Sequence, residues 1–275
     1  MEKHFYQCGG VNIFYRKCGK GPFLVLLHPS PRNSRMMEPL MNVLAAHFTC
    51  IAPDIPGYGY SEPLPNRATG MNDYVKFLHP FFRDVVREKF MLYGTATGAQ
   101  LSIAYALQYP DNLVHLFLDN CAHFTDEECN DILQHYFPDF TPVADGSHLQ
   151  KIWNFTCNSF LYFPWYDQRD ASRIATALPA VEVLQTMAED CIMAGPHYAD
   201  AYKAAFLHER VEKLVKLTAP TTVFRWAGSP IKKQMDALLS YSLPANISIV
   251  HTAASMSDRY ETMRQTIFRI IEHDN

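Results

Sequence analysis

One stretch decides the fold: residues 90–99, which read FMLYGTATGA. Its apolar first part, Phe90–Tyr93, predicts a short strand, and the following Gly94–Gly98 segment predicts a tight turn into a helix. A sharp turn from strand to helix needs small residues on both sides, so that the backbone can approach closely. The central residue here is Ala96.

Strand and helix patterns alternate before and after this turn. Apolar runs at Phe23–Leu27 and Leu113–Leu118 are typical of parallel strands that are buried on both faces. Helical periodicity covers Met36–Ala46 and Asn72–Arg87, although Pro80 is expected to bend or break the second helix. This order predicts an α/β fold with a doubly wound, mainly parallel sheet. Ligands of such sheets bind at the carboxyl ends of the strands.

The pattern changes in residues 121–216, which are mostly helical, rich in aromatic residues and without strand alternation. After Pro220 the alternation returns, with a strand at Thr221–Trp226 and a closing helix at Tyr260–Glu272. The sequence therefore predicts two domains. Residues 1–120 and 217–275 form an α/β core, and residues 121–216 form an inserted helical cap.

Composition excludes several classes of protein. With 48% hydrophobic residues and a net charge of −4 over 275 residues, the chain is not disordered, and nucleic acid and membrane are not its expected partners. Seven cysteines without zinc spacing fit reduced thiols, and no apolar signal region begins the chain, so we expect a cytoplasmic protein. We expect no metal and no cofactor. The expected partner is a small-molecule substrate, and a homodimer is compatible with the sequence.

Three motifs in order resemble the α/β-hydrolase superfamily. Residues 24–31, LVLLHPSP, resemble its first buried strand and oxyanion loop. Residues 54–61, DIPGYGYS, match its D-x-x-G-x-G-x-S loop, and residues 94–98 lie where it places G-x-S-x-G. The resemblance covers nearly the whole chain, and it implies an α/β-hydrolase fold with a helical cap.

The catalytic positions depart from that family. Ala96 has no nucleophilic atom, so no acyl-enzyme can form there. The resemblance places the acid at Ser229 and the histidine at residues 253–255, which are not histidine; His251 lies slightly earlier and is a displaced candidate. The turn GTATGA also resembles a serine-less branch of the superfamily with a G-x-H-T-G-A elbow, whose histidine Ala96 replaces.

The resemblance leaves two backbone donors for an oxyanion, the N–H groups of Ser30 and Thr97. An oxyanion site without a nucleophile suits general acid and base catalysis. The candidate catalytic side chains are His28 at a strand end, Asp119 at the end of the strand after the turn, and His148 in a polar loop of the predicted cap. Each also has a structural interpretation, as support for a loop or as a cap of a turn or helix.

Three further residues are candidate substrate contacts. Arg32 follows the oxyanion loop and is suited to pairing with a carboxylate. Trp153 and Trp165 lie in the aromatic-rich segment, which is suited to forming an apolar pocket wall. A solvated charge and ordinary packing are the structural alternatives. Together these residues favour a small, partly apolar or aromatic carbonyl compound.

Three functions remain open on the sequence. The first is a divergent enzyme of hydrolase or lyase type that uses oxyanion stabilisation and general acid/base catalysis without a serine. The second is a non-catalytic pseudoenzyme that binds a small molecule. The third is a serine hydrolase inactivated by a serine-to-alanine change at position 96.

Overall fold

The computed structural model describes residues 1–273, whose strands form one eight-stranded sheet in the order β1-β2-β4-β3-β5-β6-β7-β8. The pairs that include β2 are antiparallel, and every pair from β4 to β8 in that order is parallel. The mainly parallel sheet predicted from the sequence is confirmed. The strands are β1 Glu2–Cys8, β2 Val11–Cys18, β3 Phe23–Leu27, β4 Thr49–Pro53, β5 Phe90–Thr95, β6 Leu113–Asp119, β7 Thr221–Trp226 and β8 Ile247–Thr252.

Ten α-helices and four short 3-10 helices accompany the sheet within residues 1–273. None of these helices is long and apolar enough to cross a bilayer. The α-helices are α1 Glu38–Leu44, α2 Met71–Val85, α3 Thr97–Gln108, α4 Asp126–His135, α5 Ser147–Leu161, α6 Val181–Ala194, α7 Asp200–His208, α8 Val211–Leu214, α9 Lys232–Leu239 and α10 Met256–His273.

The sheet is covered on both faces, because its central strands are apolar on both sides. Alternate residues of β3 belong to two different cores: Val25 and Leu27 pack with α2 and α3, whereas Leu24 and Leu26 pack with α1 and α10. All four of these side chains are fully buried. This two-sided burial is why β3 reads in the sequence as a continuous apolar run.

Two features differ from the sequence pattern. Strand β1 was not predicted, since its residues are mostly exposed at the edge of the sheet and carry no apolar run. Helix α2 is not broken at Pro80, which lies in its interior. A proline removes one helical hydrogen bond, and here the buried face of the helix, with Leu78, Phe81 and Phe82, packs against the core and holds it together.

Helices α4 to α8 follow β6 in the chain and precede β7. Helix α6 is tied to the loop after β3 by the buried carboxylate of Asp190. This group accepts hydrogen bonds from Arg32 Nε at 2.6 Å, Asn33 Nδ2 at 2.7 Å and Arg35 Nη2 at 2.9 Å. Helix α6 is therefore fixed to the segment that follows the carboxyl end of β3. The division of the chain into two domains stays a prediction.

A buried ion pair joins the end of the sheet to the closing helix. Asp119, at the end of β6, is fully buried and pairs with the guanidinium of Arg259 on α10. Tyr93 donates its hydroxyl to the same carboxylate at 2.7 Å, and the guanidinium lies 4.2 Å from the centre of the Trp226 ring. A buried charge that loses its partner is costly, because no water replaces it.

We expect Arg259→Met to lower the free energy of unfolding by about 3–5 kcal/mol, because it strands the Asp119 carboxylate without its partner. The measurement is equilibrium unfolding in urea. Arg264→Met on the exposed face of the same helix, which breaks the pair with Glu261, is the matched control and should change stability little. Equal losses in the two variants would contradict this role of the buried pair.

Candidate functional site

A cavity of about 410 Å³ opens at the carboxyl ends of β3, β5, β6 and β7, between the sheet and helices α5 to α7. This volume suits a small organic molecule. Aromatic and aliphatic side chains make up most of its wall, among them Phe124, Phe160 and Phe163. Its polar residues are Ser30, Arg32, Thr95, Thr97, Asn120, Tyr136, Ser159, Tyr202, Glu209 and Ser229.

The turn between β5 and α3 lies in the wall of this cavity and is strained. Ala96 has φ 48° and ψ −113°, a conformation that L-residues rarely adopt. A side chain on Gly94 would overlap the Gly98 carbonyl, and one on Gly98 would overlap the Leu27 carbonyl. Glycine at both positions therefore lets α3 begin directly against β3, which is the geometry that the motif predicts.

The two expected oxyanion donors lie together beside Ala96, but they are not equally available. Thr97 is the first residue of α3, and the first N–H groups of a helix have no acceptor within it. The Ser30 N–H instead donates to Thr97 Oγ1 at 3.3 Å. The Ser30 hydroxyl donates to Tyr58 Oη at 2.9 Å, which fixes the loop. Of the two N–H groups, that of Thr97 is therefore the more available to a ligand.

Ala96→Gly should raise the free energy of unfolding by about 1 kcal/mol, because glycine adopts this positive φ without strain. Ala99→Gly, three residues further along the same buried helix, is the control and should lower stability by about 1 kcal/mol, as glycine does in helix interiors. Urea unfolding of both variants gives the comparison. A loss of stability in Ala96→Gly would mean that the turn is relaxed rather than strained.

His28 is buried and bonded to backbone at both ring nitrogens. Its Nε2 accepts from the Ile55 N–H at 2.8 Å, and its Nδ1 lies 3.0 Å from the Pro29 carbonyl oxygen. Burial lowers the pKa of His28, so the ring is neutral. Within residues 1–273 it is not part of the cavity wall, and this geometry fits the structural interpretation in which it supports the loop.

The other three catalytic candidates also lie away from the cavity wall. Asp119 is occupied by Arg259 and Tyr93. His148 accepts a local hydrogen bond from the Val143 N–H at 3.2 Å, and His251 is exposed on β8. Position at a strand end predicted Asp119 and His251, and position in a polar loop predicted His148. The direction of each side chain depends on packing, which the sequence pattern does not show.

Of the three candidate substrate contacts, Arg32 lines the cavity, whereas Trp153 and Trp165 do not line it. The charge of Arg32 is balanced by Asp190. Trp153 and Trp165 pack against the aromatic core of the helical segment, and Trp165 Nε1 donates to the Tyr136 carbonyl at 2.8 Å. Neither tryptophan is among the described residues that line the cavity. The cavity thus brings together four predicted residues: Ser30, Arg32, Ala96 and Thr97.

Neutral side chains fill the place where the resemblance expects an acid. Ser229, after β7, donates to Asn120 Oδ1 at 2.7 Å, and Asn120 Nδ2 donates to Thr95 Oγ1 at 3.3 Å. Asn120 follows β6 directly and has a left-handed φ of 47°. This network holds amide and hydroxyl groups beside the Ala96 turn. It can orient a ligand, but none of its members is a base at neutral pH.

The structure adds one acid that the sequence did not reveal. Glu209, directly after α7, is 5% exposed and lines the cavity. Gln100, four residues after Ala96 on α3, donates from Nε2 to Glu209 Oε1 at 3.3 Å. Burial raises the pKa of Glu209 to about 8. The side chain is therefore mainly a neutral carboxylic acid at pH 7, which can both donate and accept a hydrogen bond.

A short hydrogen-bonded chain orients this acid. His208 Nδ1 lies 3.0 Å from Gln100 Oε1, and burial lowers the pKa of His208 to about 4, so that the ring is neutral and donates. The amide of Gln100 is thereby fixed with its NH₂ group toward Glu209. In the sequence, His208-Glu209-Arg210 reads as a polar surface run, and only the packing of α7 on α3 shows that its middle residue is buried.

Comparisons with known proteins agree with this geometry. The family model described as alpha/beta hydrolase fold matches residues 22–159, which is half of the chain. The chain belongs to the α/β-hydrolase fold family. The first three motifs and the cavity wall from Ser30 to Ser159 fall within the matched region.

Named relatives of this family are hydrolases. The 2-(acetamidomethylene)succinate hydrolase of Mesorhizobium japonicum is 31% identical over 126 residues, 46% of this chain and 45% of that protein. The solved E-2-(acetamidomethylene)succinate hydrolase superposes with a TM-score of 0.66 and 20% identity over 98% of this chain and 99% of its own. The structure of epoxide hydrolase A from Mycobacterium thermoresistibile superposes with a TM-score of 0.72 and 18% sequence identity. The superposition covers 98% of each chain. The chain spans less than half the length of the curated relatives it matches.

Within residues 1–273, no group of three or more His, Cys, Asp or Glu side chains is placed to bind a metal ion. The polar groups that the structure places at the cavity include backbone N–H groups, hydroxyls, amides and the carboxyl of Glu209.

Glu209→Gln should change how stability depends on pH. Below the ordinary pKa of 4.5 both folded and unfolded chains hold the proton. Between 4.5 and about 8 the unfolded chain releases it and the folded chain keeps it, so wild-type stability falls as pH rises. Glutamine is neutral in both states. The variant should therefore gain a few kcal/mol relative to wild type between about pH 5 and about pH 8.

Urea unfolding of both proteins across that pH range measures this difference. The lowered pKa of His208 acts in the opposite sense, with stability lost as pH falls from 6.5 toward about 4, but it is present in both proteins and cancels. A difference in stability that stays constant with pH would contradict a buried neutral Glu209.

Proposed function

We propose that this chain is a hydrolase-type enzyme that acts on a small, neutral and largely apolar carbonyl compound without forming an acyl-enzyme. The observation that carries the proposal is the strained Ala96 turn in the cavity wall, followed by the Thr97 N–H. A strained backbone persists only where the surrounding structure enforces it, and such strain clusters at functional sites. Ala96 has no nucleophilic side chain. The functional group that this turn still places at the cavity is the N–H of Thr97.

The charges of the cavity favour a neutral substrate. Arg32 and Arg35 are paired with Asp190 and Glu189, and Glu209 is mainly protonated. Asn120 and Ser229 are neutral. A carboxylate in this cavity would lose its water without gaining an unpaired cation among the described lining residues, which is unfavourable. An ester, amide or ketone loses less hydration and gains the Thr97 N–H.

In hydrolysis, water would attack the carbonyl carbon directly, because Ala96 offers no side-chain nucleophile. The oxygen that becomes negative would be stabilised by the N–H of Thr97. One preorganised donor of this kind contributes about 3–4 kcal/mol to the transition state in proteins that depend on it. A lyase reaction through an enolate would use the same donor. The hydrolase names of the relatives favour hydrolysis over cleavage of a carbon–carbon bond.

The test is incubation with a panel of small aromatic and aliphatic esters, amides and lactones, before and after treatment with a serine-directed fluorophosphonate. We expect many turnovers on at least one neutral carbonyl compound, and no effect of the fluorophosphonate, because the turn carries Ala96 in place of a serine nucleophile. Activity abolished by the reagent would point to a covalent serine or to a contaminant and would contradict the proposal.

The variant Ala96→Ser separates this proposal from an inactivated serine hydrolase. A site that once used serine should regain fluorophosphonate labelling when serine is restored. We expect no labelling, because the positions for a histidine and an acid are filled by neutral groups. Efficient labelling of Ala96→Ser, with no turnover by the unchanged protein, would favour the inactivated enzyme.

A non-catalytic binding protein is the second candidate, and one observation favours it. The Ser30 N–H, one of the two expected oxyanion donors, is already bonded to Thr97 Oγ1. Such a protein would bind one compound of the panel saturably and leave it unchanged. The same incubations, followed by mass spectrometry of the bound fraction, distinguish it from the enzyme.

A further inference from the structure

We propose that Glu209 is the general acid of this site and gives its proton to the leaving oxygen or nitrogen of the bound carbonyl compound. This inference rests on the proposed function and deepens it. It assigns the proton transfer to a residue from the helical segment that follows β6 rather than to any strand end of the sheet. It also assigns Gln100 and His208 the role of positioning residues.

Position is the first argument. Glu209 lines the same cavity as Ala96 and Thr97. Gln100, which holds its carboxyl, lies four residues after Ala96, and a helix rises by about 1.5 Å per residue, or about 6 Å over this interval. The carboxyl is therefore held beside the first turn of α3. A leaving group next to a carbonyl bound at Thr97 would lie within the same part of the cavity.

The absence of a counter-charge is the second argument. Glu209 forms no ion pair with any residue in the described range 1–273, although Arg210 follows it directly. The Arg210 guanidinium bonds instead to Asp126 at 3.1 Å and to the Phe206 carbonyl at 3.3 Å. A buried carboxyl without a cation holds its proton. Hydrogen bonds from the Ala122 backbone and from Gln100, and the nearby charge of Arg210, favour ionisation, but the loss of water outweighs them.

The other titratable groups around Glu209 keep one charge state near neutral pH. His208 on α7 is neutral, since burial lowers its pKa to about 4. Burial raises the pKa of Cys121, after β6, and that of Tyr202 on α7, so both are also neutral. Arg210 is a permanent cation. Glu209 is therefore the group among these that changes charge as the pH rises through about 8.

The proposed hydrolysis needs no co-reactant other than water, and every proton in it is accounted for. Water forms a bond to the carbonyl carbon, and the π electron pair moves to the carbonyl oxygen at the Thr97 N–H. The bond to the leaving atom then breaks while the Glu209 proton moves to that atom, and the carbonyl π bond forms again. The surplus proton on the former water oxygen returns to the Glu209 carboxylate. An ester and water give an acid and an alcohol, and Glu209 ends as it began.

Two esters that differ only in the leaving group test the assignment: ethyl phenylacetate and 4-nitrophenyl phenylacetate. Ethoxide must be protonated as it leaves, whereas 4-nitrophenolate leaves without a proton. Glu209→Gln keeps the shape of the side chain but cannot donate a carboxylic acid proton. It should lower kcat for the ethyl ester about 100-fold or more and leave kcat for the nitrophenyl ester nearly unchanged.

The matched control is Glu212→Gln on the exposed side of α8, which should leave both activities unchanged. In the wild type, kcat for the ethyl ester should fall as the pH rises through about 8. Equal losses on the two esters would show a structural role and would overturn the assignment. An unchanged activity on the ethyl ester would overturn it as well.

An infrared difference spectrum between wild type and Glu209→Gln supplies a readout that needs no turnover. A buried neutral carboxyl gives a C=O stretching band near neutral pH that is lost at high pH and is missing in the variant. If neither ester is converted but the band is present, the proposed function fails while the neutral acid stands. If the band is missing, the acid assignment is overturned even in an active enzyme.

Discussion

The close approach of helix α3 to strand β3 is the constraint on which the rest of this structure depends. Gly94 and Gly98 leave no room for a side chain at the point where β5 turns into α3. The helix can therefore begin at Thr97 with its N-terminus against the carboxyl end of the sheet, and Ala96 is held at positive φ between them. The cavity opens at this point because the ends of β3, β5, β6 and β7 and the start of α3 meet there.

Electrostatics then decide what the cavity can accept. The acidic group at the end of β6, Asp119, is used in a buried pair with Arg259. The cation at the cavity wall, Arg32, is used to tie α6 to the loop after β3. The remaining acid, Glu209, is neutral because water is excluded and no cation is paired with it. A scaffold whose relatives are hydrolases thus has a mainly apolar cavity, and Glu209 in its wall is a buried acid with a raised pKa.

Much of the fold could be predicted from the sequence. A parallel strand that is buried on both faces needs a continuous apolar run, and the tight turn needs glycines. The run at Phe23–Leu27 and the turn at Gly94–Gly98 are examples. Strand β1 lies at the edge of the sheet and is mostly exposed, so its sequence has no apolar run. Pro80 predicted a bend or a break in α2, but the helix continues through it because its apolar face packs against the core.

The sequence predicted only those parts of the site whose geometry depends on the local backbone. Ser30, Ala96 and Thr97 follow from the turn and the loop, whose geometry is local. The direction of His28 and the burial of Glu209 depend on contacts between distant segments. Glu209 and Gln100 are separated by 109 positions, and no periodicity connects them.

The central claim is that a carbonyl compound is processed here without a bond to the protein. Intact-protein mass spectrometry of samples quenched in acid during steady-state conversion of 4-nitrophenyl phenylacetate, and again after the substrate is exhausted, tests this most directly. The claim predicts only the unmodified chain of 31.5 kDa while product accumulates. A chain that carries the phenylacetyl group and disappears when substrate is exhausted would contradict it, because a covalent intermediate on another side chain would then carry the reaction.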